Sequence, residues 1–399
     1  MKKNTGCLFL VFVLFLTGFM IINPGLASKA SLDGLDLWFR VVLPALLPFF
    51  VVSEMLVQLG LVHFLGILLE PVMRPLFRLP GVSAFVVVMG YTSGFPIGAI
   101  LTRKLYSEKL LDENEAERLV SFTNNASPLF ILGAVAVGMF ALPSAGYLLA
   151  CAHYLANLSV GFLAGRLAPL RYASVSATCN VNPLKAAVAR LLEVNRQNCR
   201  GIGGMLGESI RNSVNNILTV GGFIIVFSVI TQMLRTWGVI DLMAHTIQQA
   251  RLIPGMSHSL ACGLSTGFLE MTLGARTIAA SEASLHYQLV ATSVVLAWSG
   301  LSIIAQVMSI VAEIPVRLSF YVLSRSVQML LAALYTILGY RFFLHRYLAD
   351  TISLYGHAAI VPHAAPFSTV GLCIVPLLVS LSGVMLLALT AVVLAKLRC

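Results

Sequence analysis

The chain has 399 residues, of which 58% are hydrophobic and only 11% are charged, and its formal net charge is +10. A soluble domain carries about 25% charged residues, so the composition excludes a soluble protein and predicts an all-α polytopic membrane protein. Lys and Arg flank the apolar segments instead of forming a basic face, which excludes nucleic acid as an expected partner. The seven cysteines have no C-x-x-C spacing, so neither a disulfide framework nor a zinc site is expected.

Apolar runs long enough to cross about 30 Å of hydrocarbon recur along the chain. Eight transmembrane helices are predicted, at about 7–27, 36–60, 118–141, 145–168, 211–235, 286–311, 318–343 and 368–395. The first follows Lys2-Lys3, and we interpret residues 1–30 as an N-terminal transmembrane helix or signal anchor. A cleaved signal peptide is the alternative for that segment.

Two further apolar segments, 82–106 and 256–281, carry Gly, Ser and Thr at their centres. A continuous helix would not tolerate the run from Gly90 to Pro96, because backbone groups freed in hydrocarbon cost several kcal/mol each. Each segment therefore predicts a re-entrant hairpin of two half-helices that meet at a Gly-Phe tip.

The two hairpin segments are copies of one motif. The matching residues, about 174 positions apart, are Pro80-Gly81 with Pro254-Gly255, Gly90 with Gly263, and Gly94-Phe95 with Gly267-Phe268. Each half then has three crossings around one hairpin, and because three is odd the second half runs inverted relative to the first. Such inverted-topology repeats are typical of secondary transporters.

Charge distribution favours a cytoplasmic N-terminus and C-terminus. With the hairpins returning to their own side, nineteen Lys and Arg residues, Arg325 among them, fall on the cytoplasmic side and seven on the other. The predicted parts are an N-terminal segment 1–30, a first repeat 31–168, a basic cytoplasmic loop 169–210, a second inverted repeat 211–345, and an extracytoplasmic loop with the C-terminal transmembrane helix 346–399.

The first half offers polar groups at membrane depth in two places. At the hairpin tip, half-helix ends attract charged or polar groups, and small-residue packing is the alternative. In the span that follows, Pro128 frees a backbone carbonyl near the polar cluster, and amides, hydroxyls and that carbonyl suit an alkali cation or a polar solute. An interhelical hydrogen-bond network is the alternative there. The candidates are Thr92, Ser93, Asn124, Asn125 and Ser127.

The second half contributes an intramembrane carboxylate, Glu270, just beyond its hairpin tip. Such groups are functional candidates, and an ion pair with Arg276 is the alternative. The other candidates in this half are Thr272, Ser299, Ser302 and Gln306. His153 is expected to be a satisfied core histidine, and Glu117 to lie on a solvated helix face. No enzyme motif occurs, so we expect a protein that is not an enzyme.

Four stretches carry a resemblance to a known family: GYTSGFPIGA, SFTNNASPLFILGAVAVGMF, GFLEMTLGA and WSGLSIIAQ. Over about residues 35–345 the chain resembles the YlbJ family of sporulation integral membrane proteins, within the group that carries the nucleoside-recognition, or Gate, domain. More distantly it resembles concentrative nucleoside transporters. The resemblance implies two Gate-like repeats, a cell-membrane location and a role in forming the spore envelope and cortex.

We therefore predict a transporter-like sporulation protein that moves or binds a small polar solute, nucleoside-like or cortex-related. A non-transporting membrane scaffold for cortex assembly is the alternative. The expected partners are the lipid bilayer and the solute. No cofactor is expected, while a coupling Na⁺ or H⁺, a homo-oligomer and sporulation membrane partners are left open.

Overall fold

The computed structural model describes residues 3–168, 183–197, 201–250 and 256–344. Every regular element within these ranges is helical. The predicted C-terminal span 368–395 and the Pro254-Gly255 copy of the repeat lie outside the described residues.

The N-terminal part comprises α1 (Lys3–Ile22), α2 (Pro24–Leu37) and α3 (Leu43–Gln58), with a π-helical turn at Trp38–Val42 between α2 and α3. The chain bends by 106° between α1 and the following helix. The bend is at Asn23, and Pro24 starts α2 at the first helical position, where its missing N–H is not needed. The predicted spans 7–27 and 36–60 therefore correspond to α1 and to one long helical stretch from Pro24 to Gln58.

The segment predicted as the first repeat, 31–168, contains six further elements after α3. They are α4 (Leu61–Phe77), α5 (Ser83–Ser93), α6 (Ile97–Ser107), α7 (Glu113–Thr123), a π-helical segment Phe130–Met139 and α8 (Pro143–Leu167). Asp112 begins α7 with a capping box, in which its side chain accepts from the Glu115 N–H and the Glu115 carboxylate accepts from the Asp112 N–H. The predicted span 118–141 is thus two helical pieces separated by non-helical residues 124–127.

Helix α9 (Pro183–Gln197) lies between the predicted repeats, and α10 (Ile202–Thr236) contains the predicted span 211–235, with which the second repeat begins. The segment predicted as a basic loop, 169–210, therefore contains α9 and the first turns of α10. Helix α9 packs against α4, and a Cβ on Gly60 would lie 2.9 Å from a methyl carbon of Val194.

The second repeat has the same order of elements. They are α11 (Val239–Gln249), α12 (His258–Leu269), α13 (Met271–Ala279), α14 (Leu285–Trp298), α15 (Gly300–Ile310) and α16 (Leu318–Gly339), followed by a π-helical turn Tyr340–Leu344. In both repeats a short helix precedes two half-helices, a helix broken near its middle and a long helix.

Four described stretches are long and apolar enough to cross a membrane: Pro143–Leu167, Ile202–Thr236, Leu285–Ile310 and Leu318–Phe342. The number is six if the bent pairs Phe9–Ile22 with Pro24–Arg40 and Phe50–Gln58 with Leu61–Phe77 each count as one span. An all-helical membrane architecture follows from these lengths, and the count of eight spans stays a prediction.

Each pair of half-helices packs closely. A Cβ on Gly274 of α13 would lie 2.2 Å from Gly267 Cα, and one on Gly263 of α12 would lie 2.6 Å from the Ile278 side chain. These two pairs show that α12 and α13 run antiparallel as a hairpin. The half-helices α5 and α6 sit on either side of the Thr123 carbonyl oxygen, which would lie 2.2 Å from a Cβ on Gly90 and 2.5 Å from one on Gly98. Glycine is needed there because any side chain would collide with backbone.

Residues from both hairpin tips belong to one buried region of the protein. Tyr91 and Phe95 from the first tip, Ala126 from the following break and Met271 from the second tip belong to one buried apolar cluster. The two tips and the helices broken next to them thus share one apolar core.

Candidate functional site

The break after α7 leaves backbone groups without helical partners. Pro128 has no N–H, so the helical ladder cannot pass through residues 124–127. The Arg325 guanidinium donates to the carbonyl oxygen of Asn124 over 2.9 Å and also to that of Ser121. The Ala126 N–H donates to His153 Nε2 over 3.2 Å, and the Tyr154 hydroxyl donates to the Ala126 carbonyl over 2.9 Å. Side chains from α8 and α16 therefore satisfy the break.

The predicted cytoplasmic position of Arg325 is wrong. It was counted among the cytoplasmic cations, but it is fully buried in α16 and also donates to Asn157 Oδ1 over 3.3 Å. Among the described residues no carboxylate pairs with it. A signal for this position exists in the sequence, because polar residues recur on one helical face of an otherwise apolar span. The buried residues of that face are Tyr321, Arg325, Gln328, Ala332 and Thr336.

The freed carbonyl near Asn124, predicted as an alkali-cation ligand, is therefore already engaged by a cationic side chain. Without Arg325, eighteen Lys and Arg residues remain on the predicted cytoplasmic side against seven on the other, so the charge asymmetry keeps its direction. His153 agrees with its prediction in part: Nε2 is satisfied, whereas Nδ1 is buried without a partner in the described structure.

The first hairpin tip packs directly on this break. Asn124 Oδ1 accepts from the Ala99 N–H over 3.0 Å, and this N–H in the first turn of α6 also donates to the Pro96 carbonyl oxygen over 3.0 Å. Gly94 has φ +84°, and a Cβ there would lie 2.8 Å from the Ser127 backbone nitrogen. The tip and the broken helix are consequently one unit, held by a side-chain cap and by glycine contacts.

Some polar atoms at this junction are buried without a hydrogen-bond partner in the described part of the chain. Ser93 Oγ and Asn125 Oδ1 are two of them. The Tyr91 hydroxyl lies near the Asn125 side chain but outside hydrogen-bonding geometry. Because buried polar groups in proteins are nearly always paired, we expect a ligand or a water molecule to pair with these atoms.

In the second half, Glu270 occupies the hairpin tip itself. It is buried and caps α13, with Oε1 accepting from the Thr272 N–H over 3.1 Å and Oε2 accepting from the Leu273 N–H over 2.7 Å. The alternative ion pair does not form, because Arg276 is exposed and the described salt bridges do not include Glu270. The break thus falls at Glu270, two residues beyond the Gly-Phe pair that was predicted as the tip.

The second broken helix turns at Ser299 and Gly300, which both have positive φ, +74° and +80°. A Cβ on Gly300 would lie 2.9 Å from the Leu269 carbonyl oxygen, so the hairpin tip packs on this break as well. The Trp298 indole N–H donates to the Phe268 carbonyl over 3.0 Å, and the two rings stack with centroids 5.1 Å apart. Trp298 therefore packs against the second hairpin tip.

The ten predicted candidates divide by what their polar atoms already do. The side chains that hydrogen-bond to nearby backbone are Thr92, Asn124, Ser127, Glu270 and Ser299. Ser93, Asn125 and Gln306 each keep a buried atom without a partner in the described structure. Ser302 is buried and Thr272 is half-buried. No hydrogen bond among the described residues joins a first-half candidate to a second-half one.

The prediction that Glu117 lies on a solvated helix face is wrong. Glu117 was expected on a solvated face but is buried, and it binds Arg317 through Oε2 over 2.6 Å. Burial raises the pKa of this carboxyl, but the hydrogen bonds from Arg317 outweigh burial and hold the pKa below its usual range. The pair joins the start of α7 to the start of α16.

Comparison with known proteins gives the family. A family model described as nucleoside recognition (Gate) matches residues 39–148. The chain is 40% identical over 341 residues to the sporulation integral membrane protein YlbJ of Bacillus subtilis (strain 168), covering 85% of this chain and 83% of that protein. The chain belongs to the YlbJ family. The resemblance read from the motifs is thereby confirmed, as is the assignment to integral membrane proteins.

A second relative of this YlbJ-family protein is an uncharacterized protein of Alkalihalophilus pseudofirmus (strain ATCC BAA-2126 / JCM 17055 / OF4). It is 34% identical over 134 residues, which cover 33% of this chain and 27% of that protein. No solved structure matches the chain.

Proposed function

We propose that this YlbJ-family protein binds and moves a small polar solute during spore envelope formation, through a core of two inverted repeats. The observation that carries the proposal is the packing of a hairpin tip on a helix break in each half, with unpartnered polar atoms buried at the first junction. Paired, interrupted helices near the midplane are where transporters bind their substrates.

The unpartnered atoms indicate the chemistry of the solute. Leaving a buried polar atom unpaired costs about 1–3 kcal/mol, so a solute that supplies the missing partners gains that energy on binding. At the first junction Ser93 Oγ can donate or accept, and Asn125 Oδ1 accepts. A neutral molecule rich in hydroxyl and amide groups fits these requirements. The nucleoside-recognition description of the matching family model supports a nucleoside-like solute, with a cortex precursor as the other choice.

Arg325 bears on the coupling ion. The carbonyl oxygens that could strip water from an alkali cation at the first break accept from its guanidinium instead. We therefore propose that Na⁺ is not bound at this break. Glu270, a buried carboxylate at the second tip, is the proposed acceptor for a coupling proton.

The proposal includes the topology predicted from the charges. Both termini lie in the cytoplasm, the two hairpins enter from opposite faces, and the repeats are inverted. The identical order of elements in the two halves supports this arrangement.

Two substitutions test the solute site and keep Arg325, Asn124 and Tyr154, whose side chains support the first break. Ser93→Ala and Asn125→Ala should weaken solute binding by about 10-fold to 100-fold, because each deletes an atom available to the solute. Binding is measured on purified protein as a thermal shift with nucleosides, amino acids and cortex precursors, since a ligand of the folded state raises the melting temperature. Ser107→Ala and Asn215→Ala, at exposed positions, are the matched controls.

The same variants distinguish transport from scaffolding in sporulating cells. If transport is the function, Ser93→Ala, Asn125→Ala and Glu270→Gln should each impair spore formation at normal protein level and location. If all three variants sporulate like the wild type, the transport site is disproved and a membrane scaffold for cortex assembly becomes the better account.

A further inference from the structure

Four residues with metal-ligating side chains lie together on α11 and α12, away from the hairpin tips. Asp241 and His245 are four residues apart on α11, and His258 and Cys262 are four residues apart on α12. Residues with this spacing share one face of a helix. Helices α11 and α12 pack on each other, so the two pairs face one another.

The ligand atoms of three of these residues have the separations of a tetrahedral metal site. Cys262 Sγ is 3.3 Å from His258 Nε2 and 3.7 Å from Asp241 Oδ1, and His258 Nε2 is 3.6 Å from Asp241 Oδ1. A tetrahedral Zn²⁺, with bonds of about 2.3 Å to sulfur and about 2.1 Å to nitrogen and oxygen, separates its ligand atoms by about 3.4–3.6 Å. An ion at the centre of the three atoms would therefore need little side-chain movement.

The imidazole of His258 is already held in the orientation that a metal requires. Its Nδ1 is 3.2 Å from Gln248 Oε1, which can only accept, so Nδ1 carries the proton and Nε2 presents its lone pair to the cluster. Gln248 is fixed in turn, because its Nε2 donates to the Met256 carbonyl oxygen over 3.1 Å. Metal-binding histidines almost always have such a partner on the second ring nitrogen.

Charge and access also fit a divalent ion. A thiolate and a carboxylate supply two negative charges, which balance the charge of Zn²⁺, and neutral imidazole completes the set. The side chains of Asp241 and His258 are 58% and 46% exposed, so the cluster is open on one side and leaves room for a fourth ligand. The ring centroid of His245 is 4.8 Å from that of His258, at the edge of the cluster.

We propose that Asp241, His258 and Cys262 bind a zinc-class divalent transition metal that ties α11 to the first half of the second hairpin. The site does not depend on the proposed transport function. The spacing of the cysteines predicts no zinc site. Only one of the three proposed ligands is a cysteine, and the three come from two different helices.

Cobalt absorption spectroscopy on the purified full-length protein tests the proposal, because Co²⁺ enters zinc sites and a thiolate bond gives it a sulfur-to-metal charge-transfer band. The wild type should bind Co²⁺ saturably with that band, and Zn²⁺ should displace it. Cys262→Ser should abolish the band, whereas Cys151→Ser, which removes an exposed cysteine on α8, should leave it unchanged.

Two further variants test the other ligands and the orienting partner. Asp241→Asn should weaken Co²⁺ binding at least about 10-fold, and Gln248→Leu, which removes only the partner of Nδ1, should weaken it by about 10-fold to 100-fold. A wild type without the charge-transfer band, or a Cys262→Ser variant that keeps it, overturns the proposal. In that case the cluster is an ion pair between His258 and Asp241 with a neighbouring thiol.

Discussion

The two helix breaks occupy corresponding places in the repeats and are stabilised by different means. The first spans residues 124–127, and its backbone groups bind side chains of α8 and α16. The second is confined to Ser299 and Gly300. These two residues turn the chain by adopting positive φ, and the neighbouring hairpin tip packs on Gly300. One break is therefore held by distant polar side chains, and the other by local backbone conformation.

The lengths of the two breaks determine how many backbone polar groups each leaves without a helical partner. A long break exposes several donors and acceptors, and the protein satisfies some of them with Arg325 while leaving Ser93 and Asn125 with unused atoms. A short break exposes few, and Glu270 uses both carboxylate oxygens on the hairpin next to it. The two halves thus share the order of their elements, whereas the polar groups at their breaks differ.

The largest expected effect comes from removing the support of the first break. Arg325→Met deletes a buried cation and leaves the Asn124 and Ser121 carbonyl oxygens without that partner, so it should lower the free energy of unfolding by about 3–5 kcal/mol. The measurement is denaturant-induced unfolding in detergent micelles. Arg276→Met, at an exposed position in the second half, should stay within about 0.5 kcal/mol of the wild type. Equal losses for the two variants would mean that the first break does not depend on Arg325.

A smaller loss should follow from adding a methyl group inside either hairpin. Gly274→Ala would push α12 from α13, and Gly98→Ala would push the first hairpin from the Thr123 carbonyl, so each should cost about 1–3 kcal/mol of stability. Gly222→Ala on α10 is the matched control, because a Cβ there has no heavy atom within 4 Å. Unfolding of the three variants in micelles checks the effect, and a control as destabilised as the hairpin variants would contradict it.

The smallest effects should differ in sign between the breaks. Ser299→Gly relieves a positive φ and should stabilise the protein by up to about 1 kcal/mol. Asn124 has φ −91° and caps α6 through its side chain, so Asn124→Gly should destabilise the protein by a comparable amount. The measurement is the melting temperature of each variant beside that of the wild type. Two shifts of the same sign would contradict the proposed difference in how the two breaks are stabilised.

The sequence predicted the features that depend on local backbone chemistry. Glycine and proline indicated the interruption near Gly94, and Pro128 indicated the break at Asn124, since both residues act within one or two turns of their own position. The second break, inside the predicted span 286–311, also lies at a glycine, Gly300. The second hairpin breaks at Glu270 because that carboxylate caps the next half-helix, which the repeated Gly-Phe pair does not reveal.

Features that depend on contacts between distant parts of the chain could not be predicted in the same way. The burial of Arg325 is determined by groups on α7 and α8, and the burial of Glu117 is determined by Arg317, 200 positions later. A charge near the end of an apolar segment has the same local sequence whether it faces the cytoplasm or the protein core. Only the periodic polar face of α16 distinguishes the two cases.

The position of Arg325 also constrains how the protein is made. It follows Asn124 by 201 positions, so while the chain is synthesised the first break has no guanidinium until α16 has entered the membrane. The first break therefore lacks this support until α16, near the end of the predicted second repeat, has been made. A ribosome-released fragment that ends before Leu318 would carry open backbone groups in hydrocarbon, and quality-control proteases could recognise it as incomplete.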